Sequence, residues 1–69
     1  MNRKEAFLNI KASSLTGGFT ILDVLPFFKG VAPTDVEGYL KKAYDLGFIT
    51  LNANNPLCMY PTQKLMNLN

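Results

Sequence analysis

Apolar residues at Ala6, Phe7, Ile10 and Leu15 recur at helical spacing, while Arg3, Lys4, Asn9 and Lys11 fall mainly on other faces. A first amphipathic helix is predicted over about residues 2–14. Gly17 and Gly18 break the pattern, because paired glycines lose much backbone entropy in a helix and readily take positive φ in a turn. Thr20 then stands as an N-cap, with Asp23 placed three residues on, where a carboxylate favours a helix start. Phe19 and Val24 occupy the two positions of a hydrophobic staple. The second helix is therefore predicted over about 20–29, burying some of Ile21, Leu22, Leu25 and Phe28. Pro26 interrupts it: without an N–H for the Leu22 carbonyl, a kink or early stop is expected, and Gly30 ends the helix in either case.

The third helix, about 33–46, has two overlapping start signals. Either Pro33 is its first residue with Val31 and Val36 as a staple, or Thr34 caps it and Glu37 closes a capping box. Val36, Tyr39, Leu40 and Ala43 form its apolar stripe, and Gly47 follows Leu46 as the left-handed residue that stops a helix. After Gly47 the rhythm changes to alternation. Phe48 to Leu51, an Asn-rich turn at Asn52, Asn54 and Asn55, and Leu57 to Tyr60 predict a hairpin over about 48–60. Ile49 and Leu51 are expected to face the core with Leu57 and Met59, although a one-residue slip would invert every side chain. Pro61 closes the second strand, and the tail 62–69 is expected to fray, with at most a helical turn through Leu65 and Met66. The predicted class is α+β, mostly α: three helices followed by a two-stranded β-hairpin, in a single domain.

Composition narrows the chemistry. The chain has 69 residues, room for one core and no second domain. It contains no histidine and one cysteine, so an internal disulfide, the usual zinc ligand sets and Cys/His or Ser/His catalytic arrangements cannot be assembled from it. No catalytic residue, metal or cofactor is expected. A net charge of +2 is too mild to announce a nucleic-acid binder, and an apolar fraction of 48% argues for a folded domain and leaves room for a dimer. No apolar run approaches the roughly 18 to 20 residues that span a bilayer. Glu5 and Asn9 interrupt the start before a signal-peptide core forms, so no membrane association and a cytoplasmic location are expected.

The run Pro33-Thr-Asp-Val-Glu-Gly-Tyr-Leu-Lys-Lys-Ala-Tyr-Asp-Leu-Gly-Phe-Ile49, preceded by two helices and a short turn at Gly30 to Pro33, resembles the winged helix-turn-helix superfamily. In that pattern a recognition helix ends in residues like Leu-Gly-Phe-Ile and passes directly into a hairpin wing. The likeness extends to Tyr60. It implies a third helix that enters the DNA major groove, a wing on the adjacent backbone, and frequent dimers, although other members use the same surfaces for protein contacts.

With Val36, Tyr39, Leu40 and Ala43 inward, the 100° step per residue puts Thr34, Gly38, Lys41 and Asp45 on the outer face, flanked by Glu37 and Lys42. Lys41 and Lys42 would meet phosphates, and Thr34 a phosphate or base edge. The competing reading pairs Glu37 with Lys41, and either lysine with Asp45, on a solvated helix. Gly38 costs about 1 kcal/mol relative to alanine in a helix interior, so a close approach is expected there, by another part of the chain or by a partner. Arg3 and Lys4 belong to the most basic stretch, and Asn54 and Asn55 mark the wing tip, where turn formation is their commoner role. Phe27, Tyr44 and Tyr60 exceed what so small a core absorbs, a pattern found at interfaces. Two functions follow. One is a small non-enzymatic DNA-binding regulator of transcription, of the kind found in prokaryotes and their mobile elements, acting on double-stranded DNA through Arg3, Lys4, Thr34, Gly38, Lys41, Lys42, Asn54 and Asn55. The other is a winged-helix module that binds a host protein, such as a phage-encoded inhibitor or assembly adaptor; mixed charge and an uncharged wing motivate it.

Overall fold

The computed structural model describes all residues from Met1 to Asn69. Its elements are α1 (Arg3–Ser13), α2 (Ile21–Val24), a single 3-10 turn (Leu25–Phe27), α3 (Pro33–Asp45), β1 (Ile49–Leu51), β2 (Met59–Pro61) and α4 (Gln63–Met66). The chain is α+β, about half helical, with one two-stranded antiparallel sheet, and it has four α-helices where the pattern predicts three.

Asn2 starts α1: its side chain accepts the Glu5 N–H at 2.8 Å, satisfying one of the amides that a helix start leaves without a partner. Ala6, Phe7 and Ile10 are buried, as the spacing predicts, but Leu15 lies beyond the helix and is 71% exposed. Ser14 is buried instead, its hydroxyl donating to the Lys11 carbonyl at 2.9 Å. The start of α2 is held by Asp23, whose carboxylate accepts the Thr20 N–H at 2.9 Å, with Phe19 and Val24 both buried. The predicted helix 20–29 is not continuous. It is α-helical only to Val24, and Pro26 turns the next three residues into the 3-10 turn.

Of the two predicted starts for α3, the chain uses Pro33 as first helical residue after Ala32, and the Thr34 capping box does not form. The helix ends where φ reaches +82° at Gly47. The Phe48 N–H donates to the Ala43 carbonyl at 2.9 Å and the Gly47 N–H to the Tyr44 carbonyl at 3.1 Å, the two bonds of a Schellman motif.

The strands pair Ile49 with Pro61, Thr50 with Tyr60 and Leu51 with Met59. Ile49 and Met59 face the core as expected, whereas Leu51 lies at the margin and Leu57 is 78% exposed. The predicted second strand begins too early because asparagine chemistry takes its donors. The Asn55 side chain accepts the Leu57 N–H at 3.2 Å, the Asn55 carbonyl accepts the Cys58 N–H at 2.9 Å, and Asn52 accepts the Asn54 N–H at 2.8 Å. Residues 52–58 thus form a loop, and pairing resumes only at Met59. There β2 gains a second neighbour: the Phe19 N–H donates to the Met59 carbonyl at 2.8 Å, and the Met59 N–H donates to the Phe19 carbonyl at 2.7 Å. Beside it Gly18 packs against the Tyr60 ring, where an added Cβ would lie 2.8 Å from a ring carbon.

The tail does not fray. Thr62 donates its N–H to the Phe48 carbonyl at 3.0 Å and its hydroxyl to the Gly47 carbonyl at 2.6 Å. Lys64 reaches the Leu46 carbonyl at 2.6 Å and lies 4.8 Å above the Phe48 ring, and Lys11 holds the Leu68 carbonyl at 2.8 Å. Leu65 is fully buried, which contributes about 1.5–3 kcal/mol relative to an exposed leucine and outweighs the tendency of a chain end to loosen. Leu65→Ala should therefore lower unfolding free energy by about 2–5 kcal/mol in urea titrations. Leu15→Ala should change it by less than about 0.5 kcal/mol.

Candidate functional site

Two surfaces flank α3. On the side of the α1 N-terminus lies an open depression of about 530 Å³, bordered by Arg3 from α1 and by Thr34, Asp35, Gly38 and Lys42 from α3. Tyr39 lines its inner side, and its hydroxyl donates to the Met1 carbonyl at 3.2 Å, tying the start of the chain to the helix. The predicted residues Arg3, Thr34, Gly38 and Lys42 thus come together. Lys4, Asn54 and Asn55 are exposed but do not border the depression, and Lys41 faces the opposite side of α3.

Apart from its chain neighbours and the backbone of α3 itself, no atom of this chain lies within 4 Å of the place a Gly38 Cβ would occupy. A close approach by another part of the chain, one of the two explanations for this glycine, is therefore ruled out. The expected ion pairs on α3 are also missing, since Glu37, Lys41, Lys42 and Asp45 make no contact of opposite charge within 4.0 Å. Lys11 and Lys64 are tied to backbone carbonyls, which leaves Arg3, Lys4, Lys29, Lys41 and Lys42 as the exposed cations without a partner.

On the hairpin side the surface is apolar. A groove of about 380 Å³ runs between α2, α3 and the loop 52–58, with Leu40 and Met59 along it and Ile21, Leu22, Glu37 and Leu57 around it. A smaller hollow of about 210 Å³ adjoins it, sharing Leu40 and Met59 and bordered by Lys41, Tyr44, Ile49 and Leu51. Leu22 is 73% exposed, and Tyr44 and Leu51 are each exposed by more than 40%. The pattern of apolar residues does not single out Leu22 or Leu57, which it assigns to the interior. A signal for Leu22 exists: Val24 faces the core, and a residue two positions earlier on a helix points about 200° away.

The chain matches no protein-family model, curated protein or solved structure. No helix is long and apolar enough to cross a membrane.

Because Gly38 meets open space, Gly38→Ala should raise unfolding free energy by up to about 1 kcal/mol, read as a higher urea midpoint with an unchanged slope.

Proposed function

We propose that this chain is a non-enzymatic docking module of winged helix-turn-helix type that binds another protein through the apolar surface between α2, α3 and the hairpin loop. One observation carries the reading: Leu22 and Leu57, 73% and 78% exposed, stand beside a groove that also presents Leu40 and Met59. Covering an exposed leucine contributes about 1.5–3 kcal/mol, and such apolar surface gains most against apolar groups of a partner. The winged-helix part of the reading is supported by the element order and by the pairing of Phe19 with Met59, which adds a strand-like residue between the first two helices to the hairpin sheet.

The same surface suits DNA poorly. Phosphates would meet leucines and the Glu37 carboxylate, and the hairpin loop carries no lysine or arginine to release counterions. A second reading, a DNA-binding regulator, is favoured by the depression on the other side, where Arg3 and Lys42 flank Thr34 and where Gly38 leaves room for a backbone. Asp35 on the same border opposes it.

A peptide-display selection on the immobilised chain, run beside a DNA titration at two salt concentrations, separates the two. The docking reading expects peptides with leucine or phenylalanine at helical spacing, weakened at least tenfold by Leu22→Glu or Leu57→Glu and unchanged by Arg3→Ala with Lys42→Ala. Salt-dependent DNA binding that the basic substitutions abolish and the leucine substitutions spare would assign the second reading in its place.

A further inference from the structure

The face that the docking reading relies on carries a self-complementary pattern. Glu37, Lys41 and Tyr44 follow one another at spacings of four and three residues, so they form one row along the edge of α3. Glu37 borders the groove, and Lys41 and Tyr44 border the adjoining hollow. Neither charge has an opposite partner within the chain. Four large apolar residues left exposed, Leu22, Tyr44, Leu51 and Leu57, lie on this face.

We propose that the protein bound here is a second copy of the chain, with the two α3 helices antiparallel about a two-fold axis passing near Leu40, so that each Glu37 meets the other copy's Lys41. The inference rests on the docking reading and names its partner. A two-fold interface must match itself, so that residue i meets j and j meets i. Antiparallel packing reverses the row, which sets acid against base twice and carries each Tyr44 towards the other copy's groove, where the phenol has Leu22 and Leu57 for its ring and Glu37 as an acceptor for its hydroxyl. A stable pair covers about 800 Å² on each partner, roughly a fifth of the 4384 Å² surface of this chain. Charge fixes the register of the two helices, and the apolar residues supply the affinity.

The experiment is sedimentation equilibrium of the intact chain from 10 to 500 µM (on the order of a weak to moderate dimer), with E37K, K41E, the double variant and L57E, each first shown to be folded by circular dichroism. The expected result is a dimer that E37K and K41E each weaken by about tenfold, that the double variant restores, and that L57E abolishes. Mixing E37K with K41E should yield a heterodimer, because both cross-copy pairs are then again of opposite sign. A dimer indifferent to all of these substitutions would overturn the proposal. A chain monomeric throughout would overturn it as well: if peptides still bind the groove, the docking reading survives, and if they do not, both fall.

Discussion

The carbonyls at the end of α3 are the constraint around which the rest is arranged. A helix leaves its last carbonyls without intrahelical donors. Here Gly47, at φ +82°, turns the chain out of the helix, and the carbonyls around the turn find their donors in the segment after β2. Lys64 takes that of Leu46, and Thr62 takes those of Gly47 and Phe48. Both donors lie beyond the hairpin, so the chain has to run out along β1, turn, and return along β2 before the end of α3 is satisfied. The return also sets Leu65 into the core and holds Lys64 over Phe48, whose ring rests 4.9 Å from that of Phe7.

This seam explains which parts of the fold were legible in the sequence. Helix boundaries set by local chemistry were readable: Thr20 with Asp23, Pro26, Pro33 and Gly47 each act through neighbours within a few residues. The role of residues 62–66 was not, because Thr62 and Lys64 find their acceptors about fifteen residues back, and nothing in the local rhythm of Gln63 to Met66 announces a distant carbonyl. The hairpin failed for a different reason. Alternation from Leu57 to Tyr60 reads as strand, but Asn55 captures the donors of Leu57 and Cys58 and delays pairing by two residues. The pairing of Phe19 with Met59 likewise joins residues forty positions apart and leaves no periodic trace.

The candidate surface was half legible. A 100° step puts Thr34, Gly38, Lys41 and Asp45 at the centre of one outer face with Lys42 at its flank; in the structure Thr34, Gly38 and Lys42 border one depression, where the packing of α1 against α3 brings Arg3 beside them, and Lys41 borders the hollow on the other side. The adjacent residues Lys41 and Lys42 diverge by that same step, so one faces α1 and the other the hairpin, which a reading of them as a pair misses. The apolar groove leaves no mark in the sequence pattern, because periodicity assigns hydrophobic residues to the core, and a helix of four residues cannot hide both Leu22 and Val24.

The loop 52–58 is closed by its own backbone and asparagine bonds, from the Asn52 N–H on the Cys58 carbonyl to the Asn55 side chain on Leu57. Leu57 is therefore presented on a backbone whose conformational freedom was surrendered during folding. An ordinary flexible wing must be immobilised when it meets its target, at an entropic cost that weakens the complex. In the proposed docking that penalty falls on the fold rather than on the encounter, and the hairpin tip would act as a preformed apolar ridge rather than an arm that wraps.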